Sequence, residues 1–229
     1  MTEPHLFGAS YGVYVRIVRL ALAEKGVAYQ LVDDVSLPDG PSQHASQHPF
    51  GRIPAFEHDG FRLYDTSAIT RYIDEGFVGP ALQPPNARDR ARMHQIISLL
   101  DNHAYQALVW DIFFERVRAA FEGRQPDEGR IAAALPLAET CLDELVELMV
   151  DGPYLAGARL TLADLHAAPM MIYAHMAAEG AALMRQRPTL ERWLTRIGRR
   201  SSICDTRTPL ELLAWHWADA SPAALRPIA

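Results

Sequence analysis

The sequence is short of the residues that most often announce a special chemistry. Its 229 residues include two cysteines, Cys141 and Cys204, which lie far apart and lack the spacing of a redox pair or of thiolate metal ligands. Both read as reduced, apolar side chains. No run approaches the roughly 18 consecutive apolar residues of a membrane-spanning helix, so no membrane partner is expected. The start, Met1-Thr-Glu-Pro-His5, has neither the basic region nor the apolar stretch of a secretory signal, and a cytoplasmic location is the expectation. Basic charge is scarce: 22 Lys and Arg against 28 Asp and Glu give a formal net charge of -6. That balance argues against nucleic acid as a partner, because an anionic backbone would be repelled. Lys25 is the only lysine, a bias with no functional reading.

What the sequence has is enough apolar material for a sizeable core, 49% of its residues, at a length that fits one large domain or two modest ones. The run His5-Leu6-Phe7-Gly8, followed by a dense apolar pattern from Val13 to Leu22, predicts a strand and then a mostly buried helix. Lys25-Gly26 is the terminating chemistry of that helix, and Tyr29-Gln-Leu-Val-Asp33 alternates as a second strand. Strand, helix and strand in so short a span predict a parallel βαβ unit. A polar stretch from Pro38 to Pro49 has room for one short irregular helix. Pro54-Ala-Phe-Glu-His58 and Phe61-Arg-Leu-Tyr64 flank Asp59-Gly60, the dipeptide suited to a type I′ hairpin turn. From Asp65, helical spacing of Ile69, Tyr72 and Ile73 follows a polar start.

Pro80, Pro84 and Pro85 mark a linker over 81–86, dividing residues 1–80 from residues 87–229. Beyond it strand signals vanish. Helical patterns run at about 87–121, 127–150, 161–178, 188–200 and 208–218, broken by glycine and proline. The expected fold is therefore α/β plus all-α, a βαβ-ββα half followed by an all-helical bundle. Thr161-Leu-Ala-Asp164 reads as a capping box, with Leu160 and Leu165 placed for a hydrophobic staple.

Three segments together resemble the glutathione transferase family: Phe50-Gly-Arg-Ile-Pro54, Asp65-Thr-Ser-Ala-Ile69 and Leu160-Thr-Leu-Ala-Asp-Leu165. The resemblance implies a thioredoxin-like first half that binds glutathione as co-substrate, a helical half that shapes the second-substrate site, and a homodimer. It also implies a cis peptide between Ile53 and Pro54, with the backbone of Ile53 pairing with the cysteinyl part of glutathione. Asp65 and Thr66 stand where the family has Glu-Ser or Gln-Ser for the glutamyl part; a helix start suits a carboxylate and an acidic side chain suits the ammonium. Gly12, His48 and Arg52 complete the implied glutathione contacts, with His44 a neighbour of the site for the glycine carboxylate. His44 and His48 have the spacing of a ligand pair, but Pro49 follows and no third ligand is evident, so no metal is expected.

Transferases of this kind lower the pKa of a thiol that titrates near about 8.5 when free, because the thiolate is the nucleophile. In the serine-type pattern a hydroxyl at the start of the first helix does this, and Gly12 occupies that position. Ser10 is the first substitute and Tyr11 the second, with Tyr14 and the N–H groups at the helix start as further donors. The second substrate is expected against Tyr105, Trp110 and Phe114, with Asn102, Gln106, Phe113, Trp215 and Trp217 as further lining. Asp101 resembles a fourth-helix acid that, in several classes of the family, reaches the partner's glutathione. The implied activity is attack of activated glutathione on a hydrophobic electrophile, as in detoxification. Two alternatives stay open: a non-catalytic glutathione-binding or protein-interaction module, favoured by Gly12, and a glutathione-dependent isomerase, disfavoured because Ser10-Tyr-Gly12 replaces a Ser-Ser-Cys-like run.

Overall fold

The computed structural model describes residues 2–33, 48–149, 151–209 and 211–212. They form two compact units. One holds the chain up to Gln83 together with Ser201–Thr208; the other begins at Pro84, runs to Arg200 and resumes at Pro209.

The first unit is built on a four-stranded sheet of order β2-β1-β3-β4. Strand β1 (His5–Phe7) leads into helix α1 (Val13–Lys25), which returns to β2 (Gln30–Val32), parallel to β1 with Leu6 beside Leu31. Strand β3 (Ala55–His58) runs antiparallel to β1, pairing Leu6 with Phe56, and β4 (Phe61–Tyr64) runs antiparallel to β3. The hairpin forms as its turn residues dictate: Asp59 and Gly60 both take positive φ, 51° and 77°, the pair of left-handed residues that a type I′ turn requires. Helix α2 (Thr66–Gly76) closes the unit. The short helix expected between Pro38 and Pro49 falls on residues that lie mostly outside the described ones.

Helix α1 is buried nearly all round, with Val13, Val15, Ile17, Val18, Leu20 and Leu22 at 4% exposure or less. That explains a pattern too dense for one amphipathic face. It ends at Gly26, whose φ of 68° lets its N–H and that of Val27 turn back onto the Ala23 and Leu22 carbonyls. Lys25 does not lie along the helix end. Its ammonium is buried and bonds the carbonyls of Asp74 (2.9 Å) and Pro80 (3.2 Å) and the Asp74 carboxylate (3.3 Å). One fully engaged cation thus ties α1, α2 and the proline-rich stretch together.

The second unit is helical throughout its described elements. Helix α3 (Ala87–Leu99) continues without a break into a wider, π-type stretch, Leu100–Arg118, and a last turn, α4 (Ala119–Phe121). Met93, Ile96 and Ile97 are buried in α3, and Leu100, Ala104, Leu108, Ile112, Phe113 and Val117 are among those buried in the wide stretch. Helix α5 (Glu128–Leu148) packs chiefly on this wide stretch. Helices α6 (Leu162–Met176), α7 (Ala178–Arg185), α8 (Pro188–Ile197) and, in the first unit, α9 (Ser201–Asp205) complete the order.

Two of the expected helices differ. The pattern at 161–178 stops at Met176, and α7 is a separate helix the sequence did not announce, because Ala177 is extended (φ -88°, ψ 142°) and serves as the cap of both. Gly180 permits this corner, since a Cβ there would lie 2.0 Å from the Ala174 carbonyl oxygen. The pattern at 188–200 ends at Ile197, with α9 distinct. The pattern at 208–218 lies largely outside the described residues.

The Thr161–Asp164 box forms and reaches further than a cap. The Asp164 carboxylate accepts from Thr161 N (2.8 Å), Thr161 Oγ1 (3.0 Å), Leu155 N (2.9 Å) and Trp193 Nε1 (2.8 Å), joining the start of α6 to the preceding loop and to α8. Burial pushes its pKa up, and these four donors pull the other way. Among the described residues no helix is long and apolar enough to cross a membrane.

Candidate active site

In the first unit the end of β1, the start of α1 and the segment before β3 converge. Gly8 has φ 141°, and a Cβ on it would fall 2.7 Å from Val15 Cγ2 and 2.9 Å from Ile53 Cβ. Only a glycine admits that approach. Gly12 caps α1 in an extended conformation (φ -64°, ψ 130°) without a side-chain bond to the helix, and no acidic residue lies in the first turn. The positive end of α1 is therefore not neutralised by its own cap. A Cβ on Gly12 would stand 3.4 Å from Ile53 Cδ1, so the helix start and Ile53 are neighbours. The peptide joining Ile53 to Pro54 is cis, as the resemblance implies.

Ser10 and Tyr11 lie on the loop between β1 and α1. Both backbone polar groups of Ser10 are engaged by side chains: its N–H donates to Asp33 Oδ1 (3.0 Å) and its carbonyl accepts from Arg19 Nη1 (3.1 Å). Its hydroxyl takes no part in either bond. Tyr11 is 37% exposed.

His48 is buried and accepts the N–H of Phe50 on Nδ1 (3.1 Å). Its ring lies 4.9 Å from that of Tyr64, beside Asp65. Burial holds the His48 pKa below the usual imidazole value, with the Asp65 charge opposing and the Arg52 charge assisting. Asp65 and Arg52 thus both lie within electrostatic reach of His48. Asp65 is exposed and holds a φ of 66° and ψ of 121°, a conformation rare for a residue with a side chain. Thr66, the first residue of α2, is buried at 6% exposure.

The three residues expected against a second substrate are together in the helical unit, on the wide stretch. Trp110 stacks on Phe114 with ring centroids 4.4 Å apart, and Tyr105 meets Trp110 edge-on at 6.4 Å. Tyr105 is held high in pKa by burial, against a hydrogen bond with Trp110. Phe113 meets Phe114 edge-on at 5.7 Å and stacks on Tyr173 at 4.6 Å. Asp101 lies 3.5 Å from the buried His166 ring. Trp215, Trp217 and His44 fall outside the described residues. Sequence reasoning passed over Asp33 and Arg19, the partners of Ser10, because a lone acid at a strand end and a helical arginine carry no motif.

A four-stranded thioredoxin-like sheet, with the start of α1 beside Ile53, makes the first half, and helices make the second. The chain belongs to the glutathione S-transferase family. The family's N-terminal domain model matches residues 3–75 and its C-terminal domain model residues 128–196. Glutathione S-transferase F7 of Arabidopsis thaliana is 27% identical over 202 residues, covering 86% of this chain and 95% of that protein. The crystal structure of glutathione transferase F7 from Populus trichocarpa superimposes with a TM-score of 0.77 at 26% identity, covering 89% of this chain and 97% of that one. A glutathione S-transferase from Methylobacterium radiotolerans, solved in complex with glutathione sulfonate, gives 0.73 at 27% identity over 90% of this chain and 94% of that one.

Proposed function

We propose that this protein binds glutathione in its first half, converts the thiol to a thiolate and directs it at a hydrophobic electrophile held by the helical half. The observation that carries the reading is the start of α1, which has no side-chain cap from Gly12 and adjoins Ile53. The Ile53 backbone, ahead of Pro54, pairs with the cysteinyl residue of the bound peptide, which sets its sulfur toward that helix end. There the Ser10 hydroxyl, with Tyr11 as second donor, and the positive end of α1 favour the charged over the neutral thiol. Asp65 takes the glutamyl ammonium and Thr66 with the start of α2 takes its carboxylate; Arg52 and His48 receive the glycyl carboxylate. His48 serves as a neutral hydrogen-bonding group, since burial disfavours its charged form.

The reaction then needs little further from the protein: the thiolate attacks the electrophile, the leaving group departs with its electron pair, and the thioether is released. Tyr105, Trp110 and Phe114 offer an aromatic surface to such a substrate. Residues 1–80 form the glutathione-binding half and 87–229 the helical half, with 81–86 between them; the break between Gln83 and Pro84 supports this division, except that Ser201–Thr208 pack in the first unit. The working protein is a cytoplasmic homodimer acting in detoxification. The test is paired: retention on immobilised glutathione, and thioether formation with 1-chloro-2,4-dinitrobenzene. Both are expected. Retention without turnover would reduce the protein to a binding module, and the absence of both would overturn the reading.

A further inference from the structure

We propose that Arg19 is a positioning residue for the thiol-activating loop, and that the segment Ser201–Thr208, about 190 residues further along the chain, acts on that loop through it. The proposal rests on the assignment of Ser10 as the leading donor. Arg19 sits two turns into α1, half-buried, and its guanidinium makes three bonds in different directions. Nη1 donates to the Ser10 carbonyl (3.1 Å) and to the Thr206 carbonyl (3.4 Å), and Nε donates to the Tyr29 hydroxyl (3.1 Å). A planar fork with fixed donor directions can hold two carbonyls and a phenol at once; a lysine ammonium, a point charge on a flexible stem, holds them less well.

The segment is fastened along α1 at two further places. Arg16, wholly buried, donates to the Ile203 carbonyl (3.3 Å) and to Thr206 Oγ1 (3.4 Å). Near the other end of α1, Ser202 Oγ donates to the Glu24 carboxylate. Two arginines therefore meet the carbonyl end of α9, where cations are favoured, and Arg19 alone of them continues to Ser10.

The loop is closed around Ser10 by the bond from the Gly12 N–H to the Ala9 carbonyl (2.8 Å). Within that turn the Ser10 N–H and carbonyl are held by side chains, Asp33 on one side and Arg19 on the other, so those two bonds help to set the direction of the hydroxyl. The groups assigned to the rest of glutathione, Ile53, Asp65 and Thr66, lie on other elements. Arg19 thus governs activation of the thiol and leaves peptide binding largely alone.

The test uses full-length Arg19→Gln, Arg19→Lys and Ser10→Ala proteins and the double variant Arg19→Gln/Ser10→Ala. The kcat, the glutathione KM and the pH profile with 1-chloro-2,4-dinitrobenzene are measured for each. Amide hydrogen exchange of residues 8–14 and 201–208 is measured without substrate. In Arg19→Gln, kcat is expected to fall by about five-fold or more while KM changes by less than about two-fold, with the acid limb of the profile moved to higher pH. Arg19→Lys recovers part of the loss, and Ser10→Ala adds little in the Arg19→Gln background. Exchange quickens at both 8–14 and 201–208. A loss that merely multiplies with that of Ser10→Ala, or an unmoved profile, would overturn the proposal, as would exchange that quickens at 201–208 alone. If Ser10→Ala proves neutral, the donor assignment fails, and the exchange comparison still decides whether Arg19 couples the two segments. Should Arg19→Gln not fold, Arg19→Lys carries the same comparisons at smaller amplitude.

Discussion

Gly12 occupies the position of an activating hydroxyl and has no side chain to supply one. The backbone there is ordinary: φ -64° and ψ 130° suit any L-residue, and serine is a favoured helix cap. The space is tight but not closed, since a Cβ would come 3.1 Å from the Ala9 carbonyl oxygen and 3.4 Å from Ile53 Cδ1. Gly12→Ser is therefore expected to fold with a stability within about 1 kcal/mol of the parent and to raise kcat several-fold by adding a donor at the helix end. Thermal unfolding and steady-state rates check this, and a lower rate would mean that the backbone must move at Gly12. Asp65 poses the companion question. Its positive φ holds the carboxylate at the mouth of α2 without capping the helix. Asp65→Ala should weaken glutathione binding by about ten-fold or more, as expected for a lost charge-assisted bond of roughly 1.5–3 kcal/mol. Calorimetric titration reads it directly, and unchanged affinity would remove Asp65 from the site.

At the scale of elements, the buried polar groups decide what can be changed. Asp164→Ala would leave the N–H groups of Leu155, Thr161 and Trp193 without their acceptor. At about 1–3 kcal/mol for each stranded donor, a loss of roughly 3 kcal/mol or more is expected in denaturant unfolding, and a loss under about 1 kcal/mol would contradict it. The join between the wide stretch and α5 turns on Glu115, buried and bonded to Arg124 (2.7 Å), Arg130 (3.0 Å) and Asp127 N (3.3 Å). Arg124 foremost holds its pKa below the usual carboxylate value. A lowered folded pKa means stability that is present above the unfolded value of about 4.5 and lost as pH falls through the folded one. Glu115→Gln should thus cost about 1–3 kcal/mol at neutral pH and progressively less below pH 4.5; a constant difference would rule out the charge. The hairpin, the α6 box and the end of α1 were legible in the sequence because Asp59-Gly60, Thr161–Asp164 and Lys25-Gly26 are local chemistry. The α6–α7 corner was not, because Ala177 carries no turn signal and Gly180 is needed only once Ala174 packs against it. The wide winding after Leu99 was not legible either, because apolar residues fill both possible periods there.

For the whole molecule, the division into an α/β half and a helical half was readable from the loss of strand signals beyond the prolines, and the family from three motifs spread along the chain. The support of Ser10 was not, because Arg19 and Thr206 are brought together only by the fold. In the proposed function the first half lowers the pKa of a bound thiol with a neutral hydroxyl and a helix end, without the usual serine. The most direct measurement is a pH titration of the ultraviolet absorbance of thiolate in the protein–glutathione complex, run on the parent and on Ser10→Ala. The account predicts a pKa at least about one unit below the free-thiol value near 8.5 in the parent, moving back toward that value in Ser10→Ala. A bound thiol that titrates like free glutathione in the parent protein would contradict it.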